Sequence, residues 1–459
     1  MSFWKIAWRN MRQRALASSL TGLSMALGVA VMICVIVIHS VAVRQFQQDA
    51  QGYHLIVGNG KGSPMELVLS TVFHVGTPLY PIPYDYYREF TDGKFAPFVE
   101  VAVPYCMGDS FVVGDKVFRV IGTSPDLFDK IKFDADEQGN LLGYKFSAGR
   151  NFKVENCYEA VLGSVVAAQS GLVVGDYFNP THGISDGENP GKEHGAFEIV
   201  GVLKPTGTAN DRGVFVNMEG FYLGDGHALT PKDDAELKRP IGPRGEPKVD
   251  EPRGTLAPPL CYDTGGAEVT PLPERQREVT SILVLCRQFG QLQIDQGVNK
   301  DPTSPAQAIT PTRVVTQLLQ NIVGPVQVVL LVLTILIVLV ASISILVSIY
   351  NSMSERSHDI AVMRALGASR QAVMLIILVE SILLSVLGGL AGIVLGHGLV
   401  GLAAPYVVES TGVRLNVLEF DEWEAVILPA LVALASLVGL LPALNAYRTD
   451  VARSLSGVR

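Results

Sequence analysis

Ser354-Glu355-Arg356-Ser357-His358-Asp359-Ile360-Ala361-Val362-Met363-Arg364-Ala365-Leu366-Gly367-Ala368-Ser369-Arg370 is a short charged stretch enclosed by two long apolar runs. Residues 322–350 before it are dominated by Val, Leu and Ile, and residues 372–402 after it contain a single acid, Glu380. Each run exceeds the roughly 20 helical residues that cross about 30 Å of hydrocarbon. The charged stretch therefore turns at a membrane face. A loop so short and amphipathic is poorly suited to catalysis and well suited to being gripped by a partner.

Two further runs, residues 15–43 and 425–447, carry no Asp, Glu, Lys or Arg. The first follows a basic head, as a signal peptide would, but signal cores are only about 7–15 residues long. A retained span is expected instead. Short-loop charge then sets the orientation. Lys5, Arg9, Arg12 and Arg14 precede the first span, and Arg448, Arg453 and Arg459 follow the last. The loop between the third and fourth spans instead holds Glu409, Glu419, Asp421, Glu422 and Glu424 against Arg414.

The fold class expected is an α-helical membrane protein with four transmembrane helices. A large mixed α/β extracytoplasmic domain is inserted between helices 1 and 2. Residues 1–14 form a cytoplasmic interfacial helix with Trp4, Trp8 and Met11 on one face, 15–43 the first span, and 44–320 the external domain. Residues 322–350 form the second span, 351–371 a cytoplasmic loop, 372–402 the third span, 403–424 an external loop, 425–447 the fourth span and 448–459 a cytoplasmic tail. The composition fits: 48% hydrophobic and 17% charged over 459 residues lies between a soluble globule and an all-membrane protein. A net charge of −8 argues against a general nucleic-acid role. Cys106, Cys157, Cys261 and Cys286 fall in the external region, where two disulfides or buried thiols are both possible.

Within the external region, strand-like runs occur at 53–57, 99–103, 111–113, 117–121, 197–203, 214–217 and 281–286, with a hairpin turn at Gly114-Asp115. Ala and Val at helical spacing predict a helix over 158–169, and helices are also expected over 65–73 and 312–321. Residues 224–274, dense in Pro, Gly and charge, read as an exposed, flexible insertion.

Catalytic chemistry has no visible support. Residues 58–63, Gly-Asn-Gly-Lys-Gly-Ser, lack phosphate-loop spacing and read as a turn into a helix, and G-x-S-x-G and H-E-x-x-H are absent. His182, Asp186, Glu188, Glu193 and His194 cluster in a Gly-rich loop, but their spacing matches no metal-ligand pattern. A solvated loop is expected there and no metal site is assigned; His54 and His74 are weaker candidates still. Glu380 is an intramembrane acid, which by default has a functional or pairing role. His39 and His397 fall near outer membrane ends. Gly388, Gly392 and Gly396 form a stripe of small residues that lets another helix approach closely, in cis or in a second copy.

Together these residues resemble a known family. Residues 355–370 are similar to the E-R-x-x-E-I-x-x-x-R-A-x-G-A-x-x signature of FtsX/MacB-like ABC transporter permeases, with Asp359 in place of the usual Glu. Glu380 with the glycine stripe, and Pro442-Ala443 with Ala446-Tyr447-Arg448, resemble the rest of that pattern. Residues 148–152, 160–164, 174–176, 197–204 and 206–208 resemble the MacB-type periplasmic core domain; residues 224–274 match nothing in it.

The resemblance implies an inner-membrane permease whose 355–370 loop docks a separate cytoplasmic ABC ATPase. That ATPase, not this chain, would bind ATP and Mg. The coupling residues expected are Glu355, Arg356, Asp359, Ile360, Met363, Arg364, Leu366 and Gly367. A second permease copy and membrane lipids are implied as partners, together with a periplasmic adaptor, lipoprotein or hydrolase. The expected output is export or extraction of a hydrophobic, lipidic or peptidic substrate. The alternative is mechanotransmission to an external hydrolase or sensor.

Overall fold

The longest apolar runs that the structure describes are helical, and the shorter ones are strands. In the computed structural model, the described residues are 3–13, 15–49, 52–76, 80–135, 141–183, 193–224, 226–227, 261–318, isolated positions between 321 and 367, 368–411, 420 and 424–448. They divide into two units. One comprises Met1–Val43, Gln320–Val408 and Arg414–Arg459; the other comprises Arg44–Leu319 and Glu409–Val413.

The first unit is helical: α1 is Phe3–Gln13, α2 Ala15–Asp49, α3 Arg370–Thr411 and α4 Glu424–Arg448. Among the described residues two helices are long and apolar enough to cross a membrane, over Ser18–Val41 and Arg370–Val407, and Glu424–Leu440 is a shorter apolar helix. Most of the expected second span, 322–350, lies outside the described residues. Met25, Val29, Ile33 and Val37 of α2 pack with Val373, Ile377 and Val400 of α3 and Ile427 and Leu431 of α4. On the other side of α2, Leu20, Leu23, Leu27, Val31 and Ile38 are exposed, the surface that hydrocarbon suits.

Helix α1 departs in part from its expected stripe. Trp4 and Trp8 are exposed, as interfacial indoles require. Met11 instead turns inward with Ala7 to pack on Leu383 and Leu384 of α3.

The second unit is built on an eleven-stranded mixed sheet. In chain order its strands are β1 Leu55–Asn59, β2 Val99–Val113, β3 Lys116–Thr123, β4 Phe146–Gly149, β5 Glu159–Leu162 and β6 Tyr177–Phe178. There follow β7 Thr181–His182, β8 Phe197–Leu203, β9 Gly213–Asn217, β10 Ser281–Cys286 and β11 Ala306–Ile309. The spatial order is β11-β1-β10-β2-β3-β9-β5-β8-β4, with β7 added to β2 and β6 to β8. The pairs β3–β9 and β5–β8 are parallel and the rest are antiparallel. Central strands are buried on both faces, which explains their apolar residues at consecutive positions; β5 and β9 are buried at every position.

The two short runs at 99–103 and 111–113 are one strand, β2, which pairs with β3 across the Gly114 turn at φ +62°. The expected helix over 158–169 is not one element. It is the buried strand β5 followed by a helix over Ser164–Ser170. Gly163 makes the break: a Cβ there would lie 2.4 Å from the Asp211 carbonyl oxygen, so the chain must turn where only glycine fits. Ser63 caps the Pro64–Thr71 helix by accepting from the Glu66 N–H at 3.0 Å, so residues 58–63 serve as the turn expected of them.

The family-like motifs hold the sheet together. Arg150 grips the buried Glu159 through both guanidinium nitrogens, at 2.5 and 2.8 Å. Lys153 N–H and Asn156 Nδ2 donate to the same carboxylate. Asp211 accepts from the Thr206 and Gly207 N–H groups and so fixes the Thr-Gly-Thr turn.

The expected insertion over 224–274 is built into the domain at both ends. Cys261 is buried in a disulfide with Cys157, and His227 is packed on Phe221. Residues 228–260 lie outside the described residues. Cys106 and Cys286 are buried thiols, Cys106 beside the Tyr222 hydroxyl at 3.1 Å.

Two outcomes follow from this packing. The Cys157–Cys261 bridge spans 104 residues. Its replacement by serines should lower stability by about 2–5 kcal/mol, the range for native disulfides. Differential alkylation should label Cys157 and Cys261 only after reduction, and Cys106 and Cys286 after unfolding alone. His74 is buried against Phe215, and burial, with the Arg119 guanidinium adding to it, pushes its imidazole down from 6.5 to about 4. Between those pH values the unfolded chain binds a proton that the folded chain refuses, so stability rises with pH across the window. Acidification from pH 6.5 to about 4 should cost about 3 kcal/mol. The His74→Asn variant, which tolerates the local φ of +56°, should lack that part of the pH slope in equilibrium unfolding of the detergent-solubilised full chain.

Candidate functional site

The expected coupling loop is only partly within the described residues. Glu355, Arg356, Asp359, Ile360, Met363 and Leu366 lie outside them. Arg364 is helical, and Gly367 ends that turn at φ +99°, its N–H donating to the Arg364 carbonyl at 3.1 Å. Side chains with a Cβ are strained at such a φ, so the glycine of the signature is a backbone requirement. Ser369 then starts α3 as its cap, accepting from the Ala372 N–H at 3.1 Å. The Gly-Ala-Ser sequence is thus a stop signal and a start signal two residues apart.

Beyond that turn, α3 presents its glycine stripe to α2. A Cβ on Gly388 would meet Gly22 O and Met25 Cβ at 3.1 Å. On Gly392 it would meet Val29 Cβ at 2.5 Å and Ala26 O at 2.6 Å, and on Gly396 Ile33 Cβ at 2.7 Å. The stripe lies against the chain's own first span. Earlier on the same side of α3 the contact is polar: Ser385 Oγ donates to the Leu431 carbonyl of α4 at 3.1 Å, and Ser381 Oγ lies 3.3 Å from that of Ala435. Glu380 is buried on the same helix. His397 and Glu424, which sequence reading left as interfacial and loop residues, come within 3.5 Å of each other.

A second constellation lies in the external unit. Strand β2 carries a bulge at Gly108: Met107 pairs with Ile121 and Asp109 with the adjacent Val120. One extra residue breaks the two-residue alternation and re-aims the side chains that follow. Asp109 is left 2% exposed, directly across from His182 of β7. The chain returns beside β7, where the His194 N–H donates to Pro180 O at 2.8 Å. His227 arrives from a third direction, after the Met218–Tyr222 helix, its ring 4.1 Å from that of Phe221.

The three imidazoles converge on one oxygen. His182 Nδ1, His194 Nε2 and His227 Nε2 lie 3.3, 3.3 and 3.0 Å from Asp109 Oδ1. The His194 and His227 side chains are 3% and 7% exposed, and that of His182 45%. Glycines make room for the rings. A Cβ on Gly108 would approach His227 to 3.3 Å, one on Gly224 would approach His227 to 2.9 Å, and one on Gly226 would approach His182 to 3.3 Å. Burial lowers the His194 pKa; Asp109 opposes the shift and the two neighbouring imidazoles reinforce it.

Of the five residues grouped by sequence, His182 and His194 are thus brought together, but not in a solvated loop. Glu193 is exposed outside the cluster, and Asp186 and Glu188 lie outside the described residues. Asp109 and His227 were missed because neither is near the others in sequence. His54 and His74 are structural: His54 Nδ1 accepts from the Cys286 N–H at 2.9 Å, and the His74 ring packs edge-on against Phe215 with both nitrogens buried.

Comparison with known proteins agrees with the motifs. Residues 18–236 match the family described as MacB-like periplasmic core domain, and residues 331–451 that described as FtsX-like permease C-terminal. The chain belongs to the FtsX/MacB-like ABC permease family, which is membrane-embedded and carries an extracytoplasmic domain. Over 124 residues it is 32% identical to the macrolide export ATP-binding/permease protein MacB of Hyphomonas neptunium, a match covering 26% of the chain and 17% of that relative's length. Among solved structures, the extracellular domain of the ABC-type transporter YknZ from Gram-positive bacteria is 10% identical over 56% of the chain and 98% of its own, with a TM-score of 0.28. A permease-protein domain from Porphyromonas gingivalis is 9% identical over 54% of the chain and 78% of its own, with a TM-score of 0.24.

The α2–α3 contact can be tested by adding one methyl group. Gly392→Ala should destabilise the detergent-solubilised protein by about 1–3 kcal/mol, the usual cost of overpacking. Gly398→Ala, with nothing within 4 Å of the added Cβ, should be neutral or slightly stabilising in the same thermal melt.

Proposed function

We propose that this chain is the permease subunit of an ABC system, transmitting the motion of a separate cytoplasmic ATPase to its extracytoplasmic domain. The observation that carries the reading is the FtsX-like match over residues 331–451, which contains the whole 355–370 signature between two apolar runs. In this reading four spans cross the inner membrane, both termini are cytoplasmic, and two permease copies work together. ATP and Mg belong to the partner.

The residues of the loop suit docking. Ile360, Met363 and Leu366, with the small Ala361 and Ala365, offer an apolar ridge for a groove. Glu355, Arg356, Asp359 and Arg364 fix its register by charge. The Gly367 turn and the Ser369 cap lie directly before α3, so in this reading displacement of the loop is passed to a helix. Helix α3 in turn grips α2 through glycine contacts too close to slide freely. The output we propose is export or extraction of a hydrophobic, lipidic or peptidic substrate from the outer side of the membrane.

Arg364→Glu should abolish co-purification of the ATPase while leaving membrane insertion and the thermal melt intact. Met363→Asp should do the same. Undiminished co-purification of the ATPase with both variants would refute docking at this loop.

A further inference from the structure

The geometry points to a divalent transition-metal site of the zinc class, formed by Asp109, His182, His194 and His227 of the extracytoplasmic domain. Each residue offers one ligand atom, and all four atoms lie within 4.8 Å of one another. Three imidazole nitrogens and one carboxylate oxygen are a donor set that Zn2+ accepts. Metal–ligand bonds of about 2.0–2.1 Å at tetrahedral angles place donor atoms about 3.3 Å apart. The three nitrogens stand 3.0 to 3.3 Å from Asp109 Oδ1.

Hydrogen bonding does not satisfy the same atoms. His227 Nε2 lies 3.1 Å from Asp109 Oδ2, a contact that serves one nitrogen and the other carboxylate oxygen. Asp109 Oδ1 and His194 Nε2 are buried without a hydrogen-bond partner among the described residues, although they lie 3.3 Å apart. Leaving such groups unmet inside a protein is destabilising. A cation between them removes that cost and supplies the positive charge that the buried carboxylate faces. The packing also looks built for it: a bulge re-aims Asp109, and Gly108, Gly224 and Gly226 give the rings space.

Four protein ligands fill a tetrahedral shell and leave no position for a reacting water, so the site is one of binding and not of catalysis. The half-exposed His182 gives it an edge open to solution, through which metal exchanges. Bound metal would pin three separate chain segments to the β2 bulge, and so couple metal supply to the shape of this face.

The test is independent of the permease reading, because it needs no ATPase. Full-length protein in detergent, stripped with a chelator, is titrated with ZnCl2 against a competing colorimetric indicator. One Zn2+ per chain is expected, with a rise in melting temperature on binding. Co2+ in its place should give the visible absorption of a tetrahedral nitrogen–oxygen site. Asp109→Asn and His194→Ala should lose the equivalent, and His39→Gln should keep it. His182→Gln alters the most exposed ligand; it should keep the metal-free melting temperature and still shift the titration to higher Zn2+. Wild-type protein that takes up no Zn2+, or uptake by His182→Gln equal to wild type, overturns the site.

Discussion

Close approach of α2 and α3 is the constraint on which the membrane unit depends. Hydrocarbon surrounds an apolar helix as readily as another helix does, so burial gives two spans little reason to associate. What remains is contact between backbones, and that requires the side chains between them to be removed. Gly388, Gly392 and Gly396 do this on α3, and Met25, Val29 and Ile33 of α2 fill the grooves they leave. The turns of α3 before the stripe use a different device, serine hydroxyls aimed at the carbonyls of α4. One helix is therefore held to two neighbours by two kinds of short-range contact. In sequence, α2 runs on into the external domain and α3 follows directly from the 355–370 signature. The contact thus joins the two stretches of chain through which motion would pass in the proposed function.

The external domain meets a different constraint. A mixed sheet with parallel pairs must bury both faces of its centre, and buried backbone must remain hydrogen-bonded. Strands β5 and β9 meet this with buried Ala, Val, Leu and Phe, and the polar residues at their ends, Glu159 and Asn217, are hydrogen-bonded. The departures from regularity are few and local, and each has an evident use. Glycine at 163 turns the chain from strand to helix, the Arg150–Glu159 pair closes the loop beside β5, and the bulge at Gly108 opens a polar space against β2.

Much of this was legible in sequence because it rests on local pattern. Apolar length announced the two long apolar helices, strand-like composition placed β8 and β10 to the residue, and Gly114-Asp115 marked the hairpin. The glycine stripe was legible because four-residue spacing has only one geometric meaning on a helix. Failures came where tertiary context overrode that pattern. Residues 159–162 have helical spacing by accident of a strand buried on both sides, where alternation is erased. Met11 left its expected face because Leu383 and Leu384 offered apolar surface.

The histidine cluster shows the limit most clearly. His182 and His194 are near neighbours in sequence, and reading them by spacing alone led to a solvated loop. Their burial is decided by Asp109, whose position depends on a bulge that no periodicity reveals, and by His227, which lies 118 residues beyond that aspartate. Metal-ligand motifs are recognisable when one turn or one hairpin supplies most of the donors. Here only His182 and Asp109 share a ladder, and the other two donors reach them from separate directions. The one local trace is the glycines: Gly224 and Gly226 precede His227 at the edge of a Pro- and Gly-rich segment. Glycine in such a place reads as a loop residue. In the fold it is the absence of a side chain where an imidazole has to stand.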